Sequence, residues 1–244
     1  MKKDKIYFAS DFHLGSPNLK ESHLREKKIV AWLDSIKTDA KSIYLVGDIF
    51  DFWFEYSKVV PKGFTRLFGK LAELCDEGIN INLIVGNHDM WTKEYFDQEI
   101  GLKTYSDRIT IEESNKKILV CHGDGLGNKN YRYKFLKQIF RSSICRWLFS
   151  RIHPNLGISL AHLWSKASRN KNSDDQIINH DHLLNYCTGL QKKQPIDFYV
   201  FGHMHSPIEI EVDKNSKYFN TGDWITNFSY LIFHEGKMEI KKWC

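Results

Sequence analysis

The chain has 244 residues, 42% of them hydrophobic and 27% charged, with 15 Gly and 5 Pro. That balance excludes disorder, collagen-like repeats and low complexity, and a mean hydropathy of −0.45, with no apolar run near the roughly 20 residues of a membrane span, excludes a helical membrane protein. The net charge of +5 is unevenly placed: Gly125 to Ser173 carries ten Lys and Arg and no Asp or Glu, leaving 25 basic against 30 acidic residues elsewhere. Such a segment expects an anionic partner, whether phosphate, nucleic acid or an anionic lipid surface.

The apolar run Ile6–Ala9, behind the first lysines, is too short for a signal peptide. The five cysteines are odd in number, widely spaced and without a CxxC pair. They fit a reducing cytosol better than a disulfide framework or zinc finger.

Along the chain, five short runs rich in Ile, Val, Tyr and Phe each lead directly into polar residues that can bind metal. Lys5–Ser10 precedes Asp11 and His13; Ile43–Gly47 precedes Asp48; Ile81–Gly86 precedes Asn87 and His88. Ile118–Cys121 precedes His122, and Phe198–Gly202 precedes His203 and His205. Nearly continuous apolar runs of this length predict strands buried on both faces. Between the first three, Glu21–Ile36 (Leu24, Ile29, Trp32, Leu33, Ile36) and Gly63–Glu77 (Phe64, Leu67, Phe68, Leu71, Leu74) have helical spacing, so the core is α/β and layered. Lys129–Ile152 predicts one basic amphipathic helix ended by His153-Pro154, and a second helix follows around Ile158–Ser168. Together they predict a helical cap, about 126–180, inserted into one 244-residue domain. After His205 the runs Pro207–Val212, Tyr218–Asn220, Phe228–His234 and Met238–Trp243 predict a β-meander, with Glu235-Gly236 as a hairpin turn.

In open α/β sheets functional groups collect at the carboxyl ends of strands, and here all five runs deliver theirs there. A lone Asp after a strand is ordinarily a turn or cap residue, and a lone His a satisfied polar group. Five such sites in order are a different matter. Imidazole and carboxylate without thiolate suit Mn, Fe or Zn.

Asp11-Phe12-His13, Gly47-Asp48, Gly86-Asn87-His88-Asp89, His122-Gly123-Asp124 and Gly202-His203-Met204-His205 resemble the five signature motifs of the calcineurin-like metallophosphoesterases. The resemblance implies a four-layer α-β-β-α sandwich holding two divalent metal ions. Asp11, His13 and His205 would bind the first, Asn87, His122 and His203 the second, and Asp48 would bridge them. His88 would protonate the leaving oxygen or hydrogen-bond the phosphoryl group, with packing through Asp89 as the plainer alternative. Gly47–Trp53 and Thr221–Trp224 are similar to stretches of the UDP-2,3-diacylglucosamine pyrophosphatases of lipid A synthesis. That implies hydrolysis to UMP and 2,3-diacylglucosamine 1-phosphate, manganese as the usual metal (Fe or Zn also fitting), and a UDP-linked diacyl sugar lipid as substrate.

The same resemblance implies a place on the cytoplasmic face of the inner membrane, against an anionic surface, with neither nucleic acid nor protein as partner. Asn87, His88, Asn130, Ser165, Lys166, Arg169 and His203 are its candidate substrate contacts. The sequence departs from the pattern in having His88 where the best-known members carry Arg, and Asn128 and Asn130 where they carry acids. Two alternatives remain: another metallophosphoesterase (nucleotide phosphodiesterase, phosphatase or nuclease) and a non-catalytic binding module of the same fold.

Overall fold

The computed structural model describes residues 2–127, 131–172 and 179–244, with backbone alone for 132, 164 and 166–172. Two mixed sheets face each other. The first contains β1 (Lys5–Ala9), β2 (Ala40–Leu45), β3 (Asn80–Ile84) and β4 (Lys103–Tyr105) in parallel, with β10 (Ser229–His234) antiparallel to β1 and β11 (Lys237–Lys242) at the edge. The second runs β5 (Ile109–Glu113), β6 (Lys116–Cys121), β7 (Phe198–Phe201), β9 (Ser216–Asn220), β8 (Ile208–Asp213), with β6, β7 and β9 parallel.

The predicted apolar runs are continuous because both faces of each central strand are covered. Along β1, Tyr7 and Ala9 enter a core shared with α1 (Leu19–Ile36) and α2 (Thr65–Asp76), while Ile6 and Phe8 enter the layer between the sheets. Ile118 and Val120 of β6 meet Phe8 in that middle layer, and Leu119 and Cys121 face Leu183 and Cys187 of α6 (Asp181–Gln191). Period-two alternation thus builds three apolar layers inside a four-layer α-β-β-α sandwich.

α1 begins two residues before the predicted start because the Asn18 side chain accepts from Glu21 N (3.0 Å) and caps it. Leu24, predicted to face inward, is 54% exposed; the buried face instead carries Ser22, Arg25 and Glu26. Glu26 is there for a neighbour. Its Oε1 accepts from Arg66 N (2.9 Å) and Leu67 N (3.0 Å), satisfying the first turn of α2, whose own N-cap residue Phe64 supplies no side-chain bond.

Between β6 and β7 the chain forms α3 (Tyr131–Arg141), α4 (Ser143–Ser150), α5 (Pro154–Asn172) and α6. The single helix expected over Lys129–Ile152 is two, because Ser142 is extended and its Oγ accepts from Cys145 N as the N-cap of α4. Pro154 opens α5, where its missing N–H costs no intrahelical bond. The expected meander also divides: β8–β9 is a hairpin in the second sheet and β10–β11 one in the first. Glu235 and Gly236 both have positive φ, as a two-residue hairpin turn requires.

Glu26→Ala should lower stability by about 1–3 kcal/mol, the cost of leaving the buried Leu67 N–H and the half-buried Arg66 N–H without an acceptor, and Glu26→Gln, which keeps an acceptor, by less. Urea unfolding of the three proteins measures this; equal midpoints would contradict the capping role.

Candidate metal centre

The parallel strands of both sheets end on one side of the molecule, and their loops interlock. Asp11 N donates to Gly47 O, Gly202 N to His122 O, and Trp224 N to Asp11 O (3.0, 3.0 and 3.2 Å). Asp11, His13, Asp48, His203 and His205 all have positive φ, a left-handed conformation costing a non-glycine residue roughly 1–2 kcal/mol. Strain of this kind persists where surrounding structure over-determines it, which is typical of functional sites.

Two clusters result, Asp11–His13–His205 and Asp48–His122–His203, each able to offer three ligand atoms within 4.8 Å of one another. The carboxylates divide their oxygens in the same way. Asp11 Oδ2 accepts from Ser10 Oγ and from His203 N (2.9 Å), while the buried Oδ1 has no hydrogen bond and faces His205 Nε2 at 3.2 Å. Asp48 Oδ1 accepts from His88 N (2.9 Å), and Oδ2 lies 3.2 Å from His122 Nε2 and 3.8 Å from His13 Nε2, between the clusters. Asn87 Oδ1 stands 3.2 Å from His122 Nε2.

The imidazoles are oriented from behind. His122 Nδ1 donates to Val46 O (2.8 Å), His205 Nδ1 faces Asp223 Oδ2 (3.7 Å), and His88 Nδ1 donates to Asp51 O (2.8 Å). Each arrangement turns Nε2 toward the carboxylates, as metal-binding histidines require. Asp223 is itself fixed by Ile225 N, Thr226 N and Asn227 N.

Burial alone would raise Asp11, but the imidazoles of His205, His13 and His122 outweigh it and hold the carboxyl well below its usual range. Asp48 is lowered likewise: against burial stand His122, His88 and His13. Burial opposes protonation of His122 and His205, yet Asp48 and Asp11 raise both above the ordinary imidazole value. Burial and the neighbouring His122 push His203 down to about 4. Burial and Asp48 raise Asp89 to about 6; its oxygens accept from Gly86 N and Ile49 N (2.6 and 2.9 Å), closing the loop behind His88.

This donor set fits divalent cations: two ionised, buried carboxylates, one of them with an orphaned oxygen, and the imidazoles gathered round them.

Gly86 and Gly202 are among the motif glycines at close-approach positions. A Cβ on Gly86 would collide with Asp48 Oδ1 and N, and one on Gly202 would fall 2.5 Å from Ser10 Oγ and 2.7 Å from Asp11 Oδ2.

Of the predicted substrate contacts, Asn87, His88 and His203 lie among these groups, and Ser165 reaches them from α5 by donating to Asp51 Oδ1 (3.0 Å). Asn130 and the side chains of Lys166 and Arg169 lie outside the described residues. Sequence reasoning missed Asp51, His162 and Asp223. Asp223 carries a usable signal, an acid three residues past β9; Asp51, six residues past β2, carries a weaker one, and His162, in mid-helix, carries none.

Paired His–carboxylate clusters at the joined strand ends of a two-sheet sandwich define a metal-dependent hydrolase. The profile of the calcineurin-like phosphoesterase family matches residues 4–207, and the chain belongs to that family. A relative from Porphyromonas gingivalis named UDP-2,3-diacylglucosamine hydrolase is 36% identical over 95% of this chain and 94% of its own. Proteins of the same name from Actinobacillus succinogenes and Haemophilus influenzae are 25% and 24% identical, each over 93% of this chain and over 94% and 93% of their own. Among solved structures, the phosphoesterase Yfce from E. coli superposes over 98% of this chain and 92% of its own, with a TM-score of 0.48 at 14% identity.

Because His122 and His205 are raised, metal must displace protons, so affinity should rise with pH through and above the ordinary imidazole range, and binding should release protons. Calorimetry in buffers of different ionisation enthalpy measures the release; a pH-independent affinity would contradict the competition. Gly202→Ala should reduce metal affinity by at least about tenfold, through displacement of Asp11, as metal titration would show.

Proposed function

We propose that this enzyme hydrolyses the pyrophosphate bond of UDP-2,3-diacylglucosamine, giving UMP and 2,3-diacylglucosamine 1-phosphate. Asp11, His13 and His205 would hold one divalent ion and Asn87, His122 and His203 a second, with Asp48 as the ligand common to both; manganese is the proposed metal, iron and zinc suiting the same donors. When bound, such a pair neutralises phosphate oxygens and makes hydroxide accessible near neutral pH. The protein positions the diphosphate for in-line attack, so no side chain need act as nucleophile. His88, fixed through Asp51 O with Nε2 4.0 Å from Asp48 Oδ2, faces the reacting phosphate and hydrogen-bonds or protonates the departing oxygen.

The observation favouring a lipid substrate over a soluble nucleotide or nucleic acid is the surface of the helical segment. Of 14 exposed large apolar side chains among the described residues, ten fall between Tyr131 and Leu163. On α5, Leu156, Leu160 and Leu163 follow helical spacing along one exposed stripe, while Ser165 and His162 turn to Asp51. An uncovered apolar stripe on a helix whose other side touches the metal centre suits acyl chains attached to a phosphate. In this reading the segment is a cap over the site. Its basic residues rest on the anionic cytoplasmic face of the inner membrane. Among the described residues no helix is long and apolar enough to cross a membrane. The names of the relatives support the same substrate.

The test is incubation with manganese and UDP-2,3-diacylglucosamine, scored for UMP. Asp48→Ala should lose more than about 100-fold in turnover, beyond the usual cost of an outer-shell change. Full turnover with both ions retained would reject the shared-ligand role. Replacing Leu156, Leu160 and Leu163 by Ser should raise KM for the diacyl substrate more than for a small phosphodiester. Activity that falls steeply with salt on an oligonucleotide, with no release of UMP, would point to a nuclease instead.

A further inference from the structure

Asp51 stands three residues beyond Asp48, and its side chain is almost fully buried. Turn formation does not explain it, since its backbone is already held by Asp51 N donating to Leu14 O (2.9 Å) and by Asp51 O accepting from His88 Nδ1. The carboxylate looks elsewhere. Oδ1 accepts from Ser165 Oγ at 3.0 Å and lies 3.8 Å from His13 Nδ1, a buried nitrogen with no hydrogen bond. Oδ2 lies 3.3 Å from His162 Nδ1. One residue therefore meets a candidate metal ligand, the candidate acid His88 and two side chains of α5. His13, Asp51 and His88 also form a third grouping of potential ligand atoms within 4.8 Å.

We propose that Asp51 is a positioning residue that couples the seating of α5 to the metal centre. Its carboxylate takes the outer-shell place behind His13 that Val46 O and Asp223 take behind His122 and His205, and the same two oxygens dock α5. Held there, His162 has Nδ1 directed at a carboxylate and Nε2 turned away from it, on an imidazole that is partly exposed. A second contact steadies the helix nearby: Gly157 packs so closely that a Cβ would lie 2.7 Å from Tyr56 Oη and 3.1 Å from Phe149 Cζ. Displacement of α5 thus disturbs both the outer shell of His13 and the surface that carries the leucine stripe.

The proposal rests on the lipid reading above only for the substrate in one arm of its test. The full chain, loaded with manganese, is compared with Asp51→Asn, His162→Ala and the double variant. Hydrogen–deuterium exchange follows α5, and kcat and KM are measured with bis(4-nitrophenyl) phosphate and with UDP-2,3-diacylglucosamine. In Asp51→Asn, α5 exchanges faster and kcat/KM for the diacyl substrate falls at least about tenfold, more than for the small diester. His162→Ala, at a partly exposed position that does not threaten folding, reproduces the faster exchange and part of the loss. The double variant loses no more than Asp51→Asn alone, because both changes break one contact. Unchanged exchange of α5 in Asp51→Asn, or losses that multiply in the double variant, would overturn the proposal. If the parent protein cleaves the small diester but not UDP-2,3-diacylglucosamine, the substrate reading fails, and the exchange and small-diester measurements still decide the role of Asp51.

Discussion

The structure is organised around two buried charges. Asp11 and Asp48 are held ionised at the joined strand ends, an arrangement that is stable only with positive charge beside them. The sandwich supplies imidazoles for this, His205 against Asp11 and His122 against Asp48. It does so at the carboxyl ends of parallel strands, where loops from two sheets bond to one another and hold five motif residues in a backbone conformation they would not adopt alone. Rigid apolar layers behind the loops are what make that strain sustainable.

The same loops hold the helical segment. Asp124, next but one to His122, accepts from Tyr133 Oη (2.9 Å) and pairs with Lys137 Nζ (2.5 Å), fastening α3. Trp91, just past the His88 motif, donates to Phe140 O (2.6 Å). Phe52 and Phe54, which follow Asp48, pack with Trp91 around Phe149 of α4. Asp124, Trp91, Phe52 and Phe54 are motif residues or lie within a few positions of one. The helical segment and the strand-end loops are therefore not separable modules, and part of the basic charge read from the sequence is engaged within the fold: Arg141 donates to Ser106 O, and the Arg151 guanidinium lies 5.0 Å from the centre of the Trp147 ring at the end of the same helix.

Much of this was legible because burial on two faces leaves a plain trace. The five runs ending in Asp or His are β1, β2, β3, β6 and β7, and the residues after them converge. What was not legible depended on distant partners. Glu26 reads as a solvent-facing acid until α2 is known to need it. β4 has three residues and little periodicity, and it exists because β3 presents an edge. β5 did carry a signal: Ile109 and Ile111 alternate with polar residues, and Ser114 and Asn115 form a turn with positive φ before β6. The apparent meander after His205 failed for a topological reason, since hairpins in different sheets look alike in sequence. Asp51 is not recognisable in the sequence because its partners lie on a helix more than a hundred residues later.

The antiparallel contact of β1 with β10 matters for how the molecule is made. Phe8 sits opposite Leu231, so the strand that leads to Asp11 and His13 remains an unpaired edge on one side until β10 has been synthesised. Closing so large a loop makes that pairing a late step in folding, after more local strands have formed. A chain interrupted before β10 would therefore display an adhesive strand edge where the finished molecule has a closed one.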